Sequence, residues 1–150
     1  MSKTDEFLLR LAIFILVSGG YFVARHIYNH KKADKPLICP IRFDCNAVVS
    51  SDYSRFLGVP LEVMGMHYYA VHAVLYLLII FWAPFVPLWF IGLLVLSSIT
   101  SFLFSLYLIC VQLFILKKGC SWCFVSATIC ILVFILNMLI YDLPSLFLNF

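Results

Sequence analysis

Apolar positions along this chain gather into long blocks, and the polar positions fall almost entirely before and between them. From Val63 to Leu116 there is no Asp, Glu, Lys or Arg, and a second uncharged stretch runs from Gly119 to Tyr141. About 20 residues of helix cross the hydrocarbon of a bilayer, so blocks of this length predict membrane-spanning helices. Four spans fit, over 7–24, 65–83, 88–116 and 120–141. Arg10 sits close enough to the end of the first to reach the head groups. Asp5 and Glu6 precede that block and no Ala-x-Ala follows it, so it reads as a span rather than a cleaved leader. Ala83-Pro84-Phe85-Val86-Pro87 predicts a tight turn between spans two and three. The third block, Leu88 to Leu116, would measure roughly 43 Å as helix, so it tilts or protrudes into water. Lys117-Lys118-Gly119 then predicts a break before the last span.

Composition agrees with a bilayer and excludes several other classes. Hydrophobic residues make up 65% of the 150 and charged residues 11%, against roughly 45–50% and 25% in soluble domains. A soluble core of this length could not hide that much apolar surface. Disorder and a disulfide-stapled secreted module are out, and a net charge of +3 is too small and too scattered to imply a nucleic-acid partner. Ten of the seventeen charged residues lie in the one long polar connection, Arg25 to Glu62. The expected fold is an all-α integral membrane bundle of four transmembrane helices. The 25–62 connection, as loop or short helix, would cap its site, and the whole chain would form a single membrane domain.

The cysteines are where chemistry enters. With four spans, the first and third connections face the same side of the membrane. Cys39 and Cys45 lie in the first, and Cys120-Ser121-Trp122-Cys123 lies where the third meets the last span. Two cysteine pairs far apart in sequence are therefore delivered to one face. At a helix start, unpaired N–H groups and the positive dipole end stabilise a thiolate, and Lys117 and Lys118 add positive charge near Cys120. A Cys-x-x-Cys pair can cycle between dithiol and disulfide. Two such pairs on one side suggest a relay, one collecting electrons and the other discharging them. Two other readings stay open: a structural zinc or iron–sulfur site held by four thiolates, and a pair of static disulfides.

The segment Cys45-Asn46-Ala47-Val48-Val49-Ser50-Ser51-Asp52-Tyr53-Ser54-Arg55-Phe56-Leu57-Gly58-Val59-Pro60, followed by Gly65, resembles the signature of the vitamin K epoxide reductase family. Cys120-Ser121-Trp122-Cys123 resembles that family's redox centre, and the likeness extends over nearly the whole chain. The other bacterial thiol–quinone family also has four helices and two cysteine pairs, but carries Cys-x-x-Cys in the earlier connection. The resemblance implies an enzyme that passes electrons from protein thiols to a lipid-soluble quinone and so makes disulfides. It implies that Cys39 meets the partner thiol, Cys45 relays to Cys120, and Cys123 faces the quinone. Ser51 matches a Ser/Thr of the family, a hydrogen-bond donor near the quinone; on its own chemistry it reads as the N-cap of a short helical segment over 52–57.

Two departures shape what the resemblance implies. Vertebrate members that reduce the epoxide carry Tyr four residues after the second redox cysteine, where this chain has Ala127. An ordinary respiratory quinone, of menaquinone or ubiquinone type, is therefore the expected acceptor. Many bacterial members carry a thioredoxin-like domain after the last span, and no such stretch follows here. A separate thioredoxin-like thiol oxidase is the expected partner, together with membrane lipids.

Other residues carry weaker expectations. His67 near the start of span two could supply a proton at the quinone site, while His72, five residues on, lies on a different face. Cys110 and Cys130, inside spans three and four, read as packing residues. Trp82, Trp89, Tyr68 and Tyr69 read as an interfacial aromatic belt, and Trp122 as a shaper of the redox pocket. Arg25, Lys31, Lys32, Lys35, Arg42, Arg55, Lys117 and Lys118 lie on the cysteine side against Lys3 and Arg10 opposite. The positive-inside rule alone would turn the cysteines toward the cytoplasm. Disulfide chemistry and the resemblance favour the extracytoplasmic face, which is the orientation expected here, with the inverted one as alternative.

Overall fold

Each apolar block becomes one helix, because a backbone in lipid has no water to bond and must satisfy itself within its own segment. The computed structural model describes residues 2–39 and 44–142, so expectations placed on Arg42 lie outside the described residues. The four long helices are α1 (Lys3–Lys32), α3 (Leu61–Trp82), α4 (Leu88–Cys110) and α5 (Ser121–Tyr141). All four are long and apolar enough to cross a membrane, α4 counted with its continuation to Ile115. Between α1 and α3 lie the short helix α2 (Cys45–Val49), a 3₁₀ turn over Asp52–Ser54, and two antiparallel strands, β1 (Arg55–Phe56) and β2 (Val59–Pro60).

The helix ends differ from the hydropathy boundaries. α1 runs to Lys32 rather than stopping at 24, and α3 begins at Leu61 rather than 65. Hydropathy marks where the lipid-facing stretch ends, while the helix continues into water. His30, Lys31 and Lys32 in the last turn of α1 suit the negative end of its dipole. α4 continues as a single π turn over Val111–Ile115, where the Leu116 N–H donates to the Val111 carbonyl at 2.9 Å. The residue that turns the chain away is Lys117, in the left-handed region at φ 53°, and not Gly119. At the hairpin tip, Leu57 and Gly58 both take positive φ, 52° and 84°, as a two-residue turn between strands requires.

α1 packs along α3 and against α5, and α4 lies on α5. Small residues allow the α1–α3 approach: a Cβ on Gly65 would lie 3.7 Å from that of Ala24, and Gly20 sits directly against the Tyr69 ring. Tyr69 is therefore a core residue and not part of an aromatic belt. Its hydroxyl meets Ser126 Oγ at 2.7 Å and Cys130 Sγ at 3.2 Å, tying α3 to α5. Tyr68 is half-buried, and its hydroxyl accepts from Ser101 of α4. Trp82 and Trp89, exposed at helix ends, keep the position a belt requires. Cys130 packs in the core as expected, but Cys110 is exposed on the outer surface of α4. A second apolar cluster caps one end of the bundle: Ile27, Leu37, Cys45, Val48, Val49 and Cys120.

Candidate functional site

The cap cluster brings the two cysteine connections together. Cys39 and Cys45 are joined in a disulfide, with Cα atoms 5.9 Å apart. The Cys120 sulfur lies within 4.8 Å of both of theirs. Cys39 is half-buried while Cys45 and Cys120 are buried, so the sulfur nearest water belongs to Cys39. Asp44 caps α2 by accepting from the Ala47 N–H at 3.1 Å, and its other oxygen pairs with Lys118 Nζ at 3.3 Å. That bridge ties the first connection to the third. Trp122 adds a second tie, its indole N–H donating to the Ile38 carbonyl beside Cys39 at 3.1 Å.

Cys120 is itself the N-cap of α5, its sulfur accepting from the Cys123 N–H at 3.4 Å. Its own N–H donates to Gln112 Oε1 at 3.2 Å. The Cys123 thiol hydrogen-bonded to it holds the Cys120 thiol below its usual pKa, helped by the Cys123 and Trp122 N–H groups and opposed by burial. The stabilising groups are thus a thiol and helix-start amides rather than the neighbouring lysines, and Lys118 is paired with Asp44. Cys120 and Cys123 are both free thiols.

Cys123 faces a different environment from Cys120. It lines a cavity of about 120 Å³ bounded by α1, α3, the end of α4, α5 and the cap. Ile27, Val49, Leu61, Leu108 and Val111 give it apolar walls. Its volume approaches the ~150 Å³ of a cavity that admits one aromatic ring. Ala127, one turn beyond Cys123, presents a methyl group where a phenol would otherwise project. A ring with two hydrogen-bonding oxygens fits such a site if polar groups meet its edges, and Ser51, Glu62 and Gln112 are there to do so.

Ser51 lines the cavity, and its hydroxyl donates to the Val48 carbonyl at 2.7 Å. It stands at the N-cap position of the Asp52–Ser54 turn but makes no side-chain cap bond, so the capping expectation is corrected. His67 does not line the cavity: it is exposed, with Nδ1 against the Val63 carbonyl, because the helical turn carries it to the far face. His72 is buried on another face, against Ser97 of α4. Glu62 and Gln112 are cavity residues that the sequence reading passed over. Their signal was present, since an acid or an amide at the edge of a long apolar block is costly unless it has a partner or a task.

A bundle of four helices long and apolar enough to span a bilayer defines an integral membrane protein, and one end of it carries a disulfide, a neighbouring pair of thiols and an apolar cavity. Residues 7–138 match the pattern of the vitamin K epoxide reductase family, VKOR, and the chain belongs to that family. Membership makes it an oxidoreductase of the membrane, in a family generally linked to quinones. No curated protein matches the chain in sequence.

Proposed function

We propose that the protein is a membrane thiol:quinone oxidoreductase that drives disulfide formation in a thioredoxin-like partner. One observation carries the reading. Cys120 adjoins the Cys39–Cys45 disulfide on one side, while Cys123, three residues along the same helix start, opens into an apolar cavity on the other. Partner thiols reduce the Cys39–Cys45 bond by attack at the less buried Cys39. The Cys45 thiolate then attacks Cys120 in a Cys120–Cys123 disulfide, releasing Cys123. Cys39 closes back on Cys45 and frees Cys120. The electron pair now rests on the Cys120/Cys123 dithiol, and the free thiols beside an intact Cys39–Cys45 bond correspond to that charged state. A quinone of menaquinone or ubiquinone type, when bound, supplies a two-electron, two-proton acceptor. The apolar walls hold its ring and exclude water, and Ser51 contributes an oxygen at the rim. The competing reading, structural cysteines holding a metal, is disfavoured by the Cys39–Cys45 bond, which leaves those sulfurs no thiolate to offer.

The test is quinone reduction by a reduced thioredoxin-like protein, using purified protein in micelles. Cys120→Ala and Cys123→Ala should each abolish it, whereas Cys39→Ala should block the protein donor but leave a small dithiol able to drive turnover. Turnover retained in both Cys120→Ala and Cys123→Ala would falsify the proposal. Stoichiometric zinc without redox cycling would establish the metal reading instead. The cysteine face is assigned to the extracytoplasmic side. Labelling of Cys39 in intact, reduced cells by an impermeant maleimide should succeed; protection there inverts the orientation.

A further inference from the structure

Glu62 is the one carboxylate among the described residues that line a largely apolar cavity. Its side chain is 5% exposed, and it lines the same cavity as Cys123. Its Oε1 pairs with Lys31 Nζ at 3.1 Å, and that Nζ also reaches Ser54 Oγ at 3.4 Å. The Lys31 side chain, 25% exposed at the end of α1, still touches water. A buried carboxylate is costly to keep unless the pair does something an apolar pair could not. Here the pair spans from solvent on the cap side to the interior of the cavity. We propose that Glu62 is the proton donor to the quinone oxygen and that Lys31 is the positioning residue that reloads it.

The idea rests on the quinone reading above and completes its proton balance. Closing the Cys120–Cys123 bond removes two electrons and two protons from the dithiol. The electron pair and two protons end on the quinone, one proton on each oxygen. The Cys123 thiol proton is released inside the cavity and goes to one oxygen. The proton that the pair holds passes from the Lys31 ammonium through the Glu62 carboxylate to the other, and Lys31 then takes one from water. That last proton makes good the one Cys120 has lost to water, so the step is neutral overall. The groups that face Glu62 are Lys31 from α1, Tyr53 from the connection, Gln112 from the π turn and Cys123 from α5. His67, on the next turn of α3, is exposed and lies outside the cavity. Ala127 offers no hydroxyl that could do the same work.

Glu62→Gln keeps a hydrogen-bond donor but cannot deliver a proton, so kcat with a short-tailed quinone should fall about a hundredfold with little change in KM, the lower end of a general acid's ~10²–10⁴. Lys31→Met leaves Glu62 nothing to take a proton from, so kcat should fall there as well, again with little change in KM. Glu62→Asp should restore part of the rate. Folding is checked by the first half-reaction: single-turnover reduction of Cys39–Cys45 by the partner should keep its wild-type rate in every variant. A readout free of turnover uses Cys123→Ser protein and quenching of tryptophan fluorescence by the same quinone. There Glu62→Gln should bind within about twofold and Glu62→Leu roughly tenfold more weakly. Wild-type kcat in Glu62→Gln, or unchanged binding in Glu62→Leu, would overturn the assignment alone. A wild-type protein that reduces no quinone would remove the parent reading as well.

Discussion

Gly19 and Gly20 are adjacent in one helix, yet a methyl group added to each meets opposite surroundings. A Cβ on Gly20 would fall 2.5, 2.6 and 2.8 Å from three carbons of the Tyr69 ring, whereas one on Gly19 meets nothing within 4 Å. Carbon atoms pack comfortably at ~3.5–4.0 Å, so Gly20→Ala requires roughly 1 Å of clearance. The ring cannot easily supply it. Tyr69 is 1% exposed, and its hydroxyl is held by Ser126 and Cys130 across the α3–α5 interface. Overpacking of this kind costs about 1–3 kcal/mol, and both substitutions gain roughly 0.5–1 kcal/mol from Ala in a helix. The gain cancels in the comparison, so Gly20→Ala should be about 1–3 kcal/mol less stable than Gly19→Ala. Denaturant unfolding in micelles, followed by helical circular dichroism, reads the difference. Tyr69→Phe unpins the ring, so in that background the cost of Gly20→Ala should shrink by roughly 0.5 kcal/mol or more. The effect should also reach the site, because Ser126 lines the cavity with Cys123. Gly20→Ala as stable as Gly19→Ala would refute the close α1–α3 packing on which the argument stands.

Two further outcomes follow from the cap. The Asp44 carboxyl is held below the usual carboxylate range by the Ala47 N–H, and then by Lys118. A lowered folded pKa means that Asp44 contributes in full above the ordinary carboxylate value of ~4 and loses that contribution as pH falls through the lowered one. Melting curves of wild type and Asp44→Ala should therefore differ at neutral pH and converge in acid; a gap that widens in acid contradicts the capping role. Trp122→Phe removes one neutral hydrogen bond to the Ile38 carbonyl, worth ~1 kcal/mol or about fivefold. Oxidation of the partner protein should slow by about that factor while turnover driven by a small dithiol does not, and equal slowing of both would show that Trp122 does not hold the Cys39 arm.

The spans were legible because uncharged blocks of this length have few stable alternatives to a membrane helix. Counting spans also sufficed to bring Cys39, Cys45 and Cys120 to one face, which needs only parity. Helix ends were less legible: Arg25 to Lys32 is polar yet helical, since water and lipid both permit a helix. Tyr69 was misread as interfacial because a helix that is apolar nearly all round has little periodicity to say which face is buried. His67 was placed by its position near the start of span two and Ser51 by its match to a family motif, and only the turn of α3 and the Val48 carbonyl decide where their polar atoms go. The Lys31–Glu62 pair depends on α1 and α3 running side by side, a relation that no local pattern contains.

The sulfur that caps α5 also has a charge state. A thiolate accepts a hydrogen bond more strongly than a neutral sulfur does, so the Cys123 amide feels every ionisation of Cys120 through a contact of 3.4 Å. The first turn of α5 is consequently a gauge as well as a scaffold. Its tightness registers the chemical state of the atom on which it is built, and a backbone proton there offers a label-free signal of that state.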